Sequence, residues 1–376
     1  MKRLILATVA AGMVAPVAAE PFVFSGVVGA GAGYVTNPFL RIGEDGGSPS
    51  LNVSLAPVLT RTTPRGVTTV RGIYSREEYL RDYGHSDNAL AGLSHQQQLN
   101  ERLTVNGGVT YNTTTNPLIG SNFDPGISDP LTIGRRSRRL SGDAGFSWQP
   151  TATDTWTGGV NASRNTFSRN TLDGLVQDYN LYGANLAYTR SLDERTQIGL
   201  RVNGQYVDSE AFPDTQSLQP AVTLHRQISA IWTFDGNIGL IIQKMEGRSA
   251  STTVGFGGSL CGQYPRTEIC FTADRQSSAS GIGGLRRDLS LTTTVTHSLT
   301  ERSRLRGYGS YRKSDGQSFQ TISDVEAIQA RLDYDYDVTQ RLTVGVGGRY
   351  QRRDLKGQGS ADSVAGMVNL SMKIGR

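Results

Sequence analysis

Leu103-Thr104-Val105-Asn106-Gly107-Gly108-Val109-Thr110-Tyr111-Asn112 changes side-chain character nearly residue by residue. Leu103, Val105, Val109 and Tyr111 fall on one face of an extended chain, and Thr104, Asn106, Thr110 and Asn112 fall on the other. Successive side chains of a β-strand point to opposite faces, so the stretch predicts a strand with one apolar and one wet face. About sixteen such segments follow one another along the chain, an even number of the kind that closes a transmembrane β-barrel. None is a spanning helix, since after Ala19 no run reaches the roughly 18 apolar residues a helix needs to cross a bilayer. The expected fold is all-β: an antiparallel, up-and-down barrel with its apolar face in lipid and its polar face inside.

Composition agrees with export to a membrane. Lys2 and Arg3 precede an apolar stretch from Leu4 to Val14, and Val17-Ala18-Ala19 is a small-residue cleavage site. That pattern predicts a signal peptide over residues 1–19 and a barrel over 20–376. The hydrophobic fraction of 37% is low for a helical membrane protein, but alternation hides the apolar face of a barrel from such an average. The formal charge of +5 falls to +3 once Lys2 and Arg3 leave, with 36 basic and 33 acidic residues dispersed along the chain. Dispersed charge of that size gives no nucleic-acid footprint. Cys261 and Cys270, the two cysteines, lie close together in an oxidising compartment, and a disulfide within a loop is the expected use.

The connections fall into two classes. Short ones repeat a local pattern, as in Leu99-Asn100-Glu101-Arg102, Leu192-Asp193-Glu194-Arg195, Leu299-Thr300-Glu301-Arg302 and Val338-Thr339-Gln340-Arg341, with further short turns at 63–66 and 150–154. Longer ones, at 36–47, 114–137, 168–177, 209–216, 246–283 and 314–324, are rich in Gly, Ser, Asn and Asp. Strict alternation of the two classes predicts periplasmic turns at one end of the barrel and extracellular loops at the other, with both chain termini on the short-turn side. A β-propeller would give a similar period, but its blades use strands of about five to seven residues, shorter than these. Trp148 and Trp156, with Tyr74, Tyr111, Tyr182, Tyr188, Tyr206, Tyr334, Tyr336 and Tyr350, share the apolar phase and would form aromatic girdles. Pro57 and Pro220 interrupt otherwise regular strands, where a bulge or a local loss of pairing is expected.

Catalytic and metal chemistry finds no constellation here. Gly29-Ala30-Gly31-Ala32-Gly33 lacks the helix that a phosphate-cradling loop needs, so its glycines are read as keeping one strand face bare. His85, His95, His225 and His297 are far apart, and no metal, cofactor or Ser-His site is expected from their spacing. The polar phase is the informative one. It carries Arg71, Arg139, Arg201, Arg286, Arg304, Arg306, Arg312, Arg331 and Arg349 as pore-lining candidates, with Asp288, Asp333 and Asp335 among the acids. A charge facing lipid at mid-membrane costs roughly 2 to 4 kcal/mol, so these side chains should point inward. Two readings stand side by side. The arginines form a ladder that attracts anionic solutes, or they pair with Asp288, Asp333 and Asp335 and tie the wall together. Residues 246–283, read as the largest loop, either narrow the lumen or project outward.

On the signal peptide, the tight turns at 192–195 and 299–302 and hairpins covering essentially all of the mature chain, the protein resembles an outer-membrane β-barrel porin family of Gram-negative bacteria. Some members of that family occur with exopolysaccharide loci. The ending Met372-Lys373-Ile374-Gly375-Arg376 departs from the terminal aromatic that many outer-membrane barrels carry. The resemblance implies a non-enzymatic outer-membrane channel in contact with outer-membrane lipid, passing small hydrophilic solutes or exporting a secreted polysaccharide, with anionic solutes or polysaccharide as partners. A structural or adhesive barrel acting through its loops is the alternative, and an outer-membrane hydrolase the third reading. No residue identifies an oligomer face.

Overall fold

In a computed structural model the protein is described at residues 22–115, 136–168, 177–209, 213–281, 284–315 and 324–375. The leader expected over 1–19 lies outside these residues. Eighteen strands follow one another. The first nine are β1 (Val23–Thr36), β2 (Gly47–Thr63), β3 (Gly66–Tyr79), β4 (His85–Asn100), β5 (Leu103–Thr114), β6 (Ser137–Trp148), β7 (Asp154–Phe167), β8 (Tyr179–Ser191) and β9 (Thr196–Ser209). The second nine are β10 (Thr215–Gln227), β11 (Trp232–Met245), β12 (Ser251–Gln263), β13 (Thr267–Ser280), β14 (Gly284–Ser298), β15 (Ser303–Asp315), β16 (Asp324–Asp337), β17 (Leu342–Leu355) and β18 (Gly359–Gly375). Each pairs antiparallel with its sequence neighbours, and β18 pairs with β1, so the sheet closes on itself.

The strand count corrects the expectation of about sixteen. Residues 246–283 are not one long loop: they contain β12 and β13, joined by a tight turn in which Tyr264 N–H donates to the Thr267 carbonyl at 2.8 Å. The physical reason is the inward face of β12, where Gly255, Gly257 and Ser259 leave little side chain to reveal an alternation. Cys261 and Cys270 are bonded, not within a loop but across directly paired positions of these two strands.

Apolar residues face outward. Val160 and Ile238 are 60% and 63% exposed, in a band that includes Leu93, Val109, Leu200, Leu332 and Val368. So large a continuous apolar exterior is stable only against lipid. Aromatic side chains edge the band at the short-turn end, where Trp148 pairs with Trp156 and Trp156 lies 5.0 Å from Tyr188. Near the loop end the outward face switches from aromatic to charged within two residues, from Tyr74 to Arg76, Tyr206 to Asp208, Tyr311 to Lys313 and Tyr350 to Arg352. That switch marks the height at which lipid tails give way to headgroups.

The recurring short turns have one mechanism. Asn100 and Asp193 accept, through Oδ1, the backbone N–H two residues on, at 2.9 and 2.7 Å. Thr151, Ser229, Thr300 and Thr339 accept the N–H groups two and three residues on through their hydroxyls. These side chains satisfy amides that the turn takes out of the ladder. The Arg195 N–H bond also holds the Asp193 carboxyl below its ordinary pKa.

Both prolines leave the register intact. Ladder pairing lapses beside Pro57 on the β3 side and beside Pro220 on the β11 side, then resumes without a shift, as expected of a residue that lacks an N–H. At the barrel's closing seam, Gly31 is paired with Asn52 on one side and Asn369 on the other, and Asn52 Nδ2 donates to Asn369 Oδ1 at 3.3 Å across the bare glycine. A Cβ on Gly31 would collide with Asn369 Oδ1 and sit 2.7 Å from Asn52 Nδ2. Gly31→Leu should therefore cost roughly 1 to 3 kcal/mol of barrel stability. Urea titration of the refolded protein in micelles checks this, and a midpoint equal to that of the parent would contradict it.

Candidate channel

The inward phase builds a polar lumen. Arg71, Arg139, Arg201, Arg286, Arg304, Arg306, Arg312, Arg331, Arg349, Asp288, Asp333 and Asp335 all occupy that phase of their strands. What distinguishes them is partnership. Arg306 pairs with Asp335 at 2.7 Å, Arg331 with Asp333 at 2.6 Å, and Arg304 with Asp337 at 3.2 Å. Arg312 pairs with Asp288, which also accepts from the Ser278 hydroxyl. Arg304, Arg306 and Arg312 of β15 and Arg331 of β16 thus stand against carboxylates, which is how charges on neighbouring strands stabilise a sheet, while Arg286 of β14 donates to Ser314. Arg71, Arg139 and Arg201 make no ion pair among the described residues, and Arg201 Nη2 donates to Asn237 Oδ1 at 3.0 Å.

Two segments fold into the loop end of the lumen. The first is the connection at 37–46 between β1 and β2. Asn37, Pro38 and Leu40 are almost fully buried. Phe39 packs edge-on to Tyr79 with ring centroids 5.6 Å apart, in a cluster with Val35, Ala365 and Tyr83. The Leu40 carbonyl accepts from Arg353 Nη2 at 2.6 Å. Asn37 ties the turn to itself, its amide bonding both the N–H and the carbonyl of Arg41 at 2.8 Å. Asn37 and Leu40 adopt φ of +39° and +48°. That conformation costs about 1 to 2 kcal/mol per residue, and burying Phe39 and Leu40 at about 1.5 to 3 kcal/mol each outweighs it.

The second is the free end of the β13–β14 hairpin. β12 and β13 stay paired only as far as Phe256 and Arg275, whereas β13 and β14 stay paired to Ser280 and Gly284. Beyond that fork the hairpin leans inward over β11 and β10. Leu285 N–H donates to Thr215 Oγ1 at 3.1 Å. Arg287 donates from Nε to Gln243 Oε1 at 3.1 Å and from Nη2 to Ser251 Oγ at 2.8 Å. Gln243 Nε2 in turn donates to Ser277 Oγ at 2.7 Å. Ile241, Gln243 and Met245, on the inward face of β11, are buried in consequence. The hairpin rises from β13 and β14 and leans onto β10 and β11, across the ring from β1 and β2, so the two segments narrow different sides of the mouth.

Beneath the hairpin lies a recess of about 560 Å³ lined by Arg201, His225, Asp235, Asn237, Asp274 and Gln276, among others. His225 Nδ1 bonds Asp235 at 2.6 Å. The other histidines stand apart, His95 on Thr68, His297 on Thr267 and His85 on Asp87. Among the described residues no three His, Cys, Asp or Glu side chains are placed to hold a metal ion. Sequence reasoning missed Asp337, Gln243, Thr215 and Arg287 as well as the infolded 37–46 segment, for which the apolar pair Phe39-Leu40 inside a Gly-rich loop was the available signal.

No family model matches the chain, and no curated protein matches it in sequence. Solved structures do. The FrpB iron transporter from Neisseria meningitidis (F5-1 variant) superposes with a TM-score of 0.50 at 10% identity, over 88% of this chain and 63% of FrpB. OccK2 (OpdF) of Pseudomonas aeruginosa, solved in complex with glucuronate, aligns over 94% of this chain and 99% of its own, with 14% identity and a TM-score of 0.48. A mutant of the ferric enterobactin receptor PfeA of the same organism aligns over 93% and 80%, with 11% identity and a TM-score of 0.48. The fold is that of a Gram-negative outer-membrane β-barrel. The short turns accordingly face the periplasm and the 37–46 segment and β13–β14 tip face the exterior, the orientation such barrels share.

Proposed function

We propose that this outer-membrane barrel is a non-enzymatic channel for small hydrophilic solutes. The observation that carries the reading is the lumen itself. A ring of eighteen strands is of the size that leaves a water-filled path, and its inward face carries polar side chains such as Asn52, Arg139, Arg201, Arg306 and Asn369 on strands spread around the ring. The infolded segments support small solutes over a polymer, because they narrow the external mouth from two sides. Export of a secreted polysaccharide, the second reading, requires both to withdraw. Purified protein in planar bilayers should give stable single-channel conductance, and a barrel that inserts without conducting would end the proposal.

Ion preference follows from which cations are already compensated. Arg71, Arg139 and Arg201 are the inward guanidiniums proposed to act on passing anions, because Arg304, Arg306, Arg312 and Arg331 are each held by a carboxylate. Replacing Arg71, Arg139 and Arg201 with Ser together should lower the anion-to-cation permeability ratio roughly twofold or more. Reversal potentials under a salt gradient measure it, and an unchanged ratio would remove these three residues from the path. Arg306→Ser should shift the ratio in the same direction by leaving the Asp335 carboxylate uncompensated.

A further inference from the structure

We infer that the outward faces of β6 and β7, at the level where lipid tails end, form a binding site for the phosphate groups of the outer leaflet's phosphorylated glycolipid. Arg138 lies opposite Thr113 and Thr166, and Arg164 opposite Leu140 and Asn180, all on the outward phase. The two arginines are diagonal neighbours on adjacent strands, about 7 Å apart at Cβ by sheet geometry. Both are exposed, and neither makes an ion pair or side-chain hydrogen bond among the described residues.

Their surroundings extend the positive charge. Arg136 stands two residues before Arg138 and reaches Asp87 at 3.2 Å; Arg76 on β3 shares that carboxylate and pairs with Glu78 at 2.8 Å. Among the described residues the outward loop-end face from β3 to β7 therefore holds four guanidiniums against two carboxylates, with His85 also on Asp87, and Asp178 and Asp208 border it on the β8–β9 side. Elsewhere on this rim Lys313 is held by Glu326 and Arg352 by Asp354. Directly below the arginines is a smooth apolar column of Val109, Tyr111, Leu140, Val160 and Tyr182. Paired guanidiniums above an apolar column fit a molecule with phosphates at the headgroup and several acyl chains below it. The glycolipid of the outer leaflet has that build, and it is the lipid that faces this end of a barrel.

The test uses the full-length mature protein refolded in detergent, with bis-phosphorylated lipid A as the probe and binding read by native mass spectrometry. Parent protein should retain lipid A, and the double variant Arg138→Ser/Arg164→Ser should retain at least about tenfold less, the size of one lost charge-assisted contact. Arg352→Ser, on the far side of the rim, should bind as the parent does and controls for general loss of charge. Heat-modifiable gel migration confirms that each variant is a folded barrel. The inference is overturned if the double variant retains lipid A equally, if dephosphorylated lipid A binds as well as the phosphorylated form, or if phosphatidylglycerol competes at equal concentration.

Discussion

Arg287→Ala combined with Thr215→Val is expected to raise single-channel conductance about twofold or more, by releasing the β13–β14 hairpin from the mouth. The parent hairpin tip is held to β10–β12 by two hydrogen bonds from Arg287, one accepted by Thr215 and one between Gln243 and Ser277. The double variant removes three of these four. At about 1 to 3 kcal/mol each, with the guanidinium bonds at the upper end, their loss is comparable to the roughly 5.5 kcal/mol that carries a two-state equilibrium from 1:99 to 99:1. The apolar side chains of Ile241, Met245 and Leu285, buried where the tip meets β10 and β11, are the remaining hold that release must overcome. An independent reporter is available because Cys261 and Cys270 are bonded to each other. In an Ile241→Cys background, a charged thiol reagent should react slowly when the hairpin is latched and quickly in the double variant, because position 241 is 1% exposed. Unchanged conductance with an unreactive thiol would show that the tip is held by other contacts.

The second large effect concerns Asp288. This carboxylate is 3% exposed, accepts from Arg312 and Ser278, and sits two residues from Arg286, itself 2% exposed and bonded to Ser314 at 2.8 Å through Nε. Asp288→Asn keeps the shape and removes the charge, depriving the Arg312 guanidinium of the Asp288 carboxylate. Removing one member of a buried pair costs about 3 to 5 kcal/mol, and because the Arg312 side chain is 24% exposed and Asp274 lies near it, the loss should fall at the lower end of that range. Urea unfolding in micelles should show a loss of that order. By contrast Arg306 is half exposed, and Arg306→Ala should cost under about 1 kcal/mol, as water takes over the freed carboxylate. Equal midpoints for Asp288→Asn and the parent would mean that water takes the place of the lost carboxylate.

Much of this architecture was legible because lipid and lumen impose opposite demands on alternate residues. β5, β7 and β11 declare themselves through Leu, Val, Ile and aromatic residues set against Asn, Thr and Gly, and the Asx and Ser/Thr turns announce each return at the periplasmic end. β12 did not, because a strand whose inward face is Gly255, Gly257 and Ser259 shows half of the pattern. The infolded hairpin was hidden for another reason. Ser277, Gln276 and Arg287 have the same character as any lumen residue, and only the point where β12 and β13 part company reveals that they belong to a segment crossing the mouth. Which arginines are paired was half legible: register brings Arg304 opposite Asp335 and Arg306 opposite Asp333, yet the ion pairs run diagonally, Arg304 to Asp337 and Arg306 to Asp335. Diagonal contacts depend on how long side chains lean along a twisted sheet, which strand order alone does not specify.

The fork between β12 and β13 interrupts the continuity of the wall. A seam that already parts at Phe256 and Arg275 could run further toward the periplasm under load, as a zipper does once started, and each pair lost would open the barrel sideways to lipid. Five residue pairs below the fork the run meets Cys261 bonded to Cys270. The covalent link acts as a stop on that zipper: the external tip of the hairpin is free to swing, while the root of the same seam cannot part.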